Sequence, residues 1–138
     1  MKLDLRGPAA LVICALALPA LAHHSFAMFD AGKSQTIEGT VRQFQWTNPH
    51  SWLYVTVPDA AGKSDDWAIE MGSPSGMARQ GWVPKTLTPG MNVKVVIHPL
   101  VDGNNGGQYL AITLPDGKKM GNPEGRVLGG GARGADNP

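Results

Sequence analysis

The stretch "SQTIEGTVRQFQWTNPHSWLYVTV", residues 34–57, carries the strongest structural pattern in the chain. Its first part, residues 34–46, is rich in β-branched and aromatic side chains, which favour strands. Residues 50–57 alternate between apolar and polar side chains, as in a strand with one buried face. Pro49 fixes the backbone of the turn between them. The stretch therefore predicts a hairpin of two strands, the first one long, with a bulge or bend at Gly39.

The rest of the chain continues as short segments separated by turns. The sequence contains 18 glycines and 11 prolines, and such punctuation between β-rich segments is typical of all-β proteins. Three further strands are predicted at residues 67–71, 91–98 and 108–114. Residues 73–82 predict a short helix, with Ser73 as its N-cap and a proline at its first position.

Five strands with one short helix between the third and the fourth follow the element order of an OB-fold. We therefore predict an all-β fold, a small five-stranded OB-like Greek-key barrel that occupies residues 34–120. The same elements would also fit an open five-stranded meander or a small sandwich. Residues 121–138 are rich in glycine and lack periodicity, which predicts a disordered tail.

Residues 1–22 have the composition of a secretion signal. A short positive region precedes an apolar run, residues 8–21. This run is shorter than the roughly 20 residues of a membrane-spanning helix. It ends in the sequence ALA, residues 20–22, which suits signal peptidase. We therefore expect export to the periplasm, cleavage after Ala22, and a mature chain that begins with an N-terminal arm, residues 23–33.

Charge and cysteine content narrow the possible partners. The chain contains twelve Lys and Arg residues and eleven Asp and Glu residues, which gives a net charge of +1. This balance argues against nucleic acid as a partner. The only cysteine, Cys14, lies in the predicted leader, so the mature chain would have neither a disulfide nor a thiolate metal site. A metal would need histidine, methionine, carboxylate or backbone nitrogen as ligands.

Cleavage after Ala22 would make His23 the first residue, followed by His24. The terminal amine and the two imidazoles can chelate a divalent ion, and Cu(II) binds nitrogen ligands most strongly among the first-row divalent ions. His50 is the first candidate for a further ligand, and His98 is another. In the alternative interpretation the histidine pair is only a polar start, His50 bonds a neighbouring carbonyl, and His98 is a surface residue at a strand end.

Trp46 and Trp52 lie on either side of His50. A tight turn would bring the three side chains together, and indole rings attract cations. We therefore expect both tryptophans to shield an ion bound at His50, although they would alternatively pack in the core. Met71 and Met77 are candidate thioether ligands for Cu(I), but methionine more often fills cores.

The chain shows only weak enzyme signatures. Its acidic residues form no acid–base motif, and its serines lie in no nucleophile elbow. The leading hypothesis is therefore a periplasmic, non-enzymatic copper-binding protein. The second is a metal-free module that binds a periplasmic protein or a small ligand near four tryptophans: Trp46, Trp52, Trp67 and Trp82. A small exported enzyme is the third.

Four sequence blocks between residues 23 and 120 resemble a known family. They are HHSFAMFD, TIEGTVRQFQWTNPHSWLYV, PGMNVKVVIHPLVDG and QYLAITLPDGKKM. Together they resemble an exported bacterial family known as domain of unknown function family 6152. This resemblance implies export and a small β domain, and it assigns no activity. More remotely, the strand order and the His, Met and Trp content resemble the small periplasmic OB-fold copper chaperones of metal-efflux systems. The spacing of the chaperones' ligands is absent here, so that likeness assigns no residue.

Overall fold

The structure is a computed structural model that describes residues 27–124. Those residues form six strands and one short helix: β1 (Gln35–Gln45), β2 (Trp52–Pro58), β3 (Ser64–Glu70), α1 (Pro74–Ala78), β4 (Asn92–Pro99), β5 (Gly106–Thr113) and β6 (Lys119–Gly121). The predicted leader, the start of the predicted arm (residues 23–26) and the chain from residue 125 onward lie outside the described residues. No helix in residues 27–124 combines the length and apolar character needed to cross a membrane.

Five strands close into a barrel. Strand β1 pairs with β2 on one side and β4 on the other, β2 pairs with β3, and β4 pairs with β5, all antiparallel. A short parallel pairing between β3 and β5 completes the ring. This arrangement confirms the predicted all-β OB-like barrel, including the single short helix between the third and fourth strands. The sixth strand, β6, was not predicted, and it pairs with the part of β5 beyond the β3 contact.

The long first strand curls to serve both neighbours. Its first half pairs with β4, and its second half pairs with β2. The predicted bulge at Gly39 is wrong in position, because the register shift falls between Val41 and Gln43. Gly39 has a different function: a Cβ there would collide with the carbonyl oxygen of Thr56 on β2. Glycine thus permits the close approach of two backbones.

The helical end of the barrel is closed by α1 and the segment that follows it. Ser73 caps α1 as predicted, and its hydroxyl accepts a hydrogen bond from the backbone N–H of Gly76 at 3.2 Å. The helix ends at Ala78, earlier than predicted. Met71 and Met77 are 4% and 3% exposed, which places both candidate thioether ligands in the hydrophobic core.

Trp82 is the largest fully buried side chain among the described residues and is 1% exposed. Its ring contacts Tyr109 edge-on, with 5.6 Å between the ring centroids, and it also contacts Phe44 at 6.1 Å. The inward side chains of the strands complete the core: Ile37, Val41, Leu53, Val55, Ile69, Val93, Val95, Ile97 and Ile112.

Tyr109 links the core to β6, since its hydroxyl donates to the carbonyl of Met120 at 2.9 Å. Burial raises the pKa of Tyr109 above its ordinary value of 10.0. Replacing Tyr109 with phenylalanine is expected to lower the free energy of unfolding by about 1 kcal/mol at neutral pH. The raised pKa means that the contribution of Tyr109 to stability is complete below pH 10 and is lost above it, because only the unfolded chain then ionises.

Urea denaturation of the wild type and of Tyr109→Phe at about pH 8 and about pH 11 measures both effects. Between about pH 8 and about pH 11 the wild type should lose more stability than the variant. The difference between their free energies of unfolding should therefore shrink by about 1 kcal/mol. A difference that stays constant would contradict the burial of the hydroxyl.

Candidate functional site

One row of side chains crosses four strands on the outside of the barrel. Paired residues on neighbouring strands project to the same side of a sheet. Trp52 on β2 pairs with Glu70 on β3, Glu70 pairs with Gln108 on β5, and Gln108 pairs with His98 on β4. Their chain neighbours Leu53, Ile69 and Ile97 are fully buried inside the barrel. Trp52, Glu70, Gln108 and His98 therefore face outward, and we call them the outer belt.

His50 joins the outer belt through Glu70. The ring nitrogen Nδ1 of His50 is in contact with the carboxylate oxygen Oε1 of Glu70. The His50 side chain is 38% exposed, whereas that of Glu70 is only 10% exposed. A carboxylate accepts hydrogen bonds, so Nδ1 carries the proton and a neutral ring has its lone pair on Nε2. The half-exposed imidazole of His50 is thus oriented by the nearly buried carboxylate of Glu70.

Glu70 is the residue of this site that sequence reasoning missed. His50 was expected either to bind an ion or to bond a neighbouring carbonyl, and its observed partner is a carboxylate on another strand. The available signal was the pairing of the second and third predicted strands. In that pairing Glu70 lies directly opposite Trp52. Trp52 follows His50 by two residues, so the register places Glu70 near His50.

The two tryptophans near His50 have different surroundings. Trp46 packs against the core and contacts Phe44 edge-on, with 5.8 Å between the ring centroids. Trp52 lies on the outer belt beside Glu70. The chain between them contains the cis Asn48–Pro49 peptide bond. Shielding of an ion at His50 by both rings stays a prediction, and Trp52 is the ring on the same face as the His50–Glu70 pair.

His98 is buried, with 6% exposure, so its interpretation as a surface residue at a strand end is wrong. Its ring Nδ1 lies 2.6 Å from the carbonyl oxygen of Lys33. The physical reason is the described part of the N-terminal arm, residues 27–33, which lies beside the end of β4. A carbonyl only accepts hydrogen bonds, so Nδ1 of His98 is the donor.

The arm follows β4 through backbone contacts. The N–H of Asp30 donates to the carbonyl of Pro99 at 2.8 Å, and the N–H of Val101 donates to the carbonyl of Met28 at 3.0 Å. Between these bonds Phe29 forms an isolated β-bridge with Leu100, the residue that follows β4. Phe29 is 7% exposed. The ion pair with Lys33 is the largest influence that lowers the pKa of Asp30.

The structure places two of the predicted ligands, His50 and His98, on the outer side of the barrel. His50 is paired with Glu70, and His98 lies on the same outer belt, two strands from Glu70. His23 and His24 lie outside the described residues. Within residues 27–124, no three His, Cys, Asp or Glu side chains converge as a metal site would require.

The expected face of four tryptophans does not form. Trp82 is 1% exposed in the core, and Trp67 is partly buried against the same core. Strand alternation and closure of the barrel end by α1 turn these rings inward. Of the four rings, Trp52 is the one on the outer belt.

Comparison with known proteins identifies the family. No curated protein and no solved structure matches the chain significantly. The Family of unknown function (DUF6152) matches over residues 10–109. The match covers well over half of the chain and includes His50, Glu70 and His98. The chain therefore belongs to the Family of unknown function (DUF6152).

Proposed function

We propose that this protein is an exported, non-enzymatic copper-binding protein. The ion is held by the amine and imidazoles of His23 and His24 at the mature N-terminus, with His50 as a further ligand. The observation that carries the proposal is the contact between the half-exposed ring of His50 and the nearly buried carboxylate of Glu70.

The His50–Glu70 contact has the form usual for a metal-binding histidine. Such a histidine binds the ion through one ring nitrogen and donates the other N–H to a carboxylate or a carbonyl. In His50 the Nδ1–H donates to the carboxylate of Glu70. Nε2 is therefore the nitrogen that would coordinate the ion. The contact also holds the ring in one orientation, so binding costs less conformational entropy.

The length of the arm is compatible with a shared site. Phe29 is separated from Glu70 by three strand spacings and two residues along a strand, which gives a straight-line distance of about 16 Å across the sheet. The five residues from Phe29 back to His24 span up to about 17 Å when extended. The terminal pair is therefore within reach of His50.

The mature chain that starts at His23 should bind Cu(II) at least about tenfold more tightly than the same chain with four extra N-terminal alanines. The extension removes the amine from both imidazoles and leaves no histidine among the first three residues, so the terminal chelate cannot form. Isothermal titration measures both affinities, and four alanines added at the C-terminus are the matched control. Equal affinities would exclude the chelate between the amine and His23.

The same chelate predicts a dependence on pH. The terminal amine, with an ordinary pKa of about 8, and the imidazoles must lose their protons to bind. Copper affinity should therefore fall as the pH drops below about 8. Intact-mass measurement of the exported protein establishes independently whether the mature chain begins at His23.

The competing hypothesis is a metal-free module that binds a periplasmic protein or a small ligand. The observation in its favour is that residues 27–124 contain no group of three His, Cys, Asp or Glu side chains placed to hold one ion. Purification from the periplasm separates the two hypotheses. A protein without copper or zinc that carries a bound partner would favour the module.

A further inference from the structure

Building on the proposed function, we infer that His98 is a positioning residue. Its ring fastens the N-terminal arm, residues 27–33, to the barrel and so keeps the terminal histidine pair within reach of His50. This role differs from that of a ligand, because His98 acts through the arm and does not contact the ion.

The first support is the burial of a polar ring on the outer side of a barrel. His98 belongs to the outward-facing belt, yet it is only 6% exposed. Its Nδ1 donates to the carbonyl of Lys33, a residue 65 positions away in the chain. The bond joins the end of the arm that precedes β1 to the end of β4. It therefore closes the segment between Phe29 and Gln35 against the barrel.

The second support is how little else holds the arm. Among residues 27–33, Phe29 is the only one that is buried, and most of the others are exposed. Two backbone hydrogen bonds flank Phe29, at Asp30 and Val101. Segments with few buried contacts open readily. Among the described residues, the His98 bond is one of three hydrogen bonds that join the arm to β4 and the residues just after it.

The attachment of the arm matters because it sets the effective concentration of the terminal histidine pair near His50. A tethered ligand binds a second group more tightly when the tether keeps it close. With the arm released, the terminal amine and His23 would still chelate copper, but the ion would meet His50 less often. Loss of the fastening should therefore lower the copper affinity, at most by as much as loss of His50 does. The two losses should not add, since both remove one contact.

Two substitutions separate a fastening role from a ligand role. In His98→Asn the side-chain amide N–H stands close to the position of the ring Nδ1, while nothing replaces Nε2. In His98→Leu both nitrogens are lost. Copper titration of the mature chain should place H98N within about twofold of the wild type. The affinity of H98L should fall by a factor no larger than that of His50→Gln, about tenfold, and the H50Q/H98L double variant should bind no more weakly than H50Q.

The same titrations can overturn the inference. If H98N binds copper as weakly as H98L, His98 is a ligand through Nε2. If H98L binds as tightly as the wild type, the ring has no part in the site. An additive loss in the double variant would show that His98 acts independently of His50.

A measurement without copper tests the fastening itself. Hydrogen exchange of the Asp30 and Val101 amides, followed by NMR, reports the two backbone bonds of the arm. In H98L both amides should exchange at least about tenfold faster, while amides in the β1–β2 pairing keep their protection. In H98N all should remain protected. Unchanged exchange in H98L would overturn the inference, whereas a wild type that binds no copper would contradict the proposed function whatever the exchange rates.

Discussion

Replacing Trp82 with alanine is expected to lower the free energy of unfolding by about 3–5 kcal/mol, the usual cost of truncating a fully buried aromatic residue. Trp82 is 1% exposed and contacts the rings of Phe44 and Tyr109. These contacts join β1 and β5 to the segment that closes the barrel end. Because domains of this size have a total stability of about 5–15 kcal/mol, the variant should lose a large fraction of its stability.

Urea denaturation followed by circular dichroism measures the loss. Two variants serve as controls. Trp82→Phe keeps an aromatic ring in the cavity and should lose less stability than the alanine variant. Val83→Ala changes the next residue, which is 54% exposed, and should stay within about 0.5 kcal/mol of the wild type. A loss below about 1 kcal/mol for Trp82→Ala would contradict its place in the core.

The barrel could be predicted because local patterns determine most of it. Alternation in residues 50–57 defined the second strand and its inward face, with Leu53 and Val55 fully buried. The position of Ser73 before a proline identified the helix and its cap. Such signals depend on neighbours in the sequence, so they survive without knowledge of the fold.

Other features of the fold depend on contacts between distant segments. The register shift after Val41 is set by the need of β1 to pair with two strands, while Gly39 is needed for the close approach to Thr56. Strand β6 has only three residues, and it forms by pairing with the part of β5 that β3 leaves unpaired. Neither feature has a signal within its own few residues.

The candidate site could be predicted only in part for the same reason. The sequence singled out His50 as a candidate ligand, but its partner Glu70 is known only from the pairing of β2 with β3. His98 looked exposed because alternation placed it opposite Ile97. It is buried because the arm, whose Lys33 carbonyl is distant in sequence, lies beside it. Long-range pairing decides which polar side chains meet.

Replacing Glu70 with alanine is expected to weaken Cu(II) binding by up to about tenfold, the lower end of the usual cost of removing the group that orients a metal-binding histidine. Without the carboxylate, Nδ1 of His50 has lost its partner and the ring can rotate. Protonation on either ring nitrogen then becomes possible, so the lone pair on Nε2 is no longer assured. The loss should not exceed that of His50→Gln, because Glu70 acts through the ring.

Glu70→Gln and Glu38→Gln complete the experiment. The first keeps an oxygen that can accept from Nδ1 but removes the charge, so it should bind with intermediate affinity. The second removes a carboxylate that is 67% exposed and ion-paired with Lys94, and its copper affinity should stay within about twofold of the wild type. Isothermal titration at neutral pH, with circular dichroism to verify folding, gives all values. If Glu70→Ala matches the wild type while the N-terminal extension weakens binding, copper is held by the terminal pair alone and His50 is not a ligand. If both lose affinity, the nearly buried carboxylate and the chain terminus act on one ion, because no other link between these distant positions would make both changes lower the same constant.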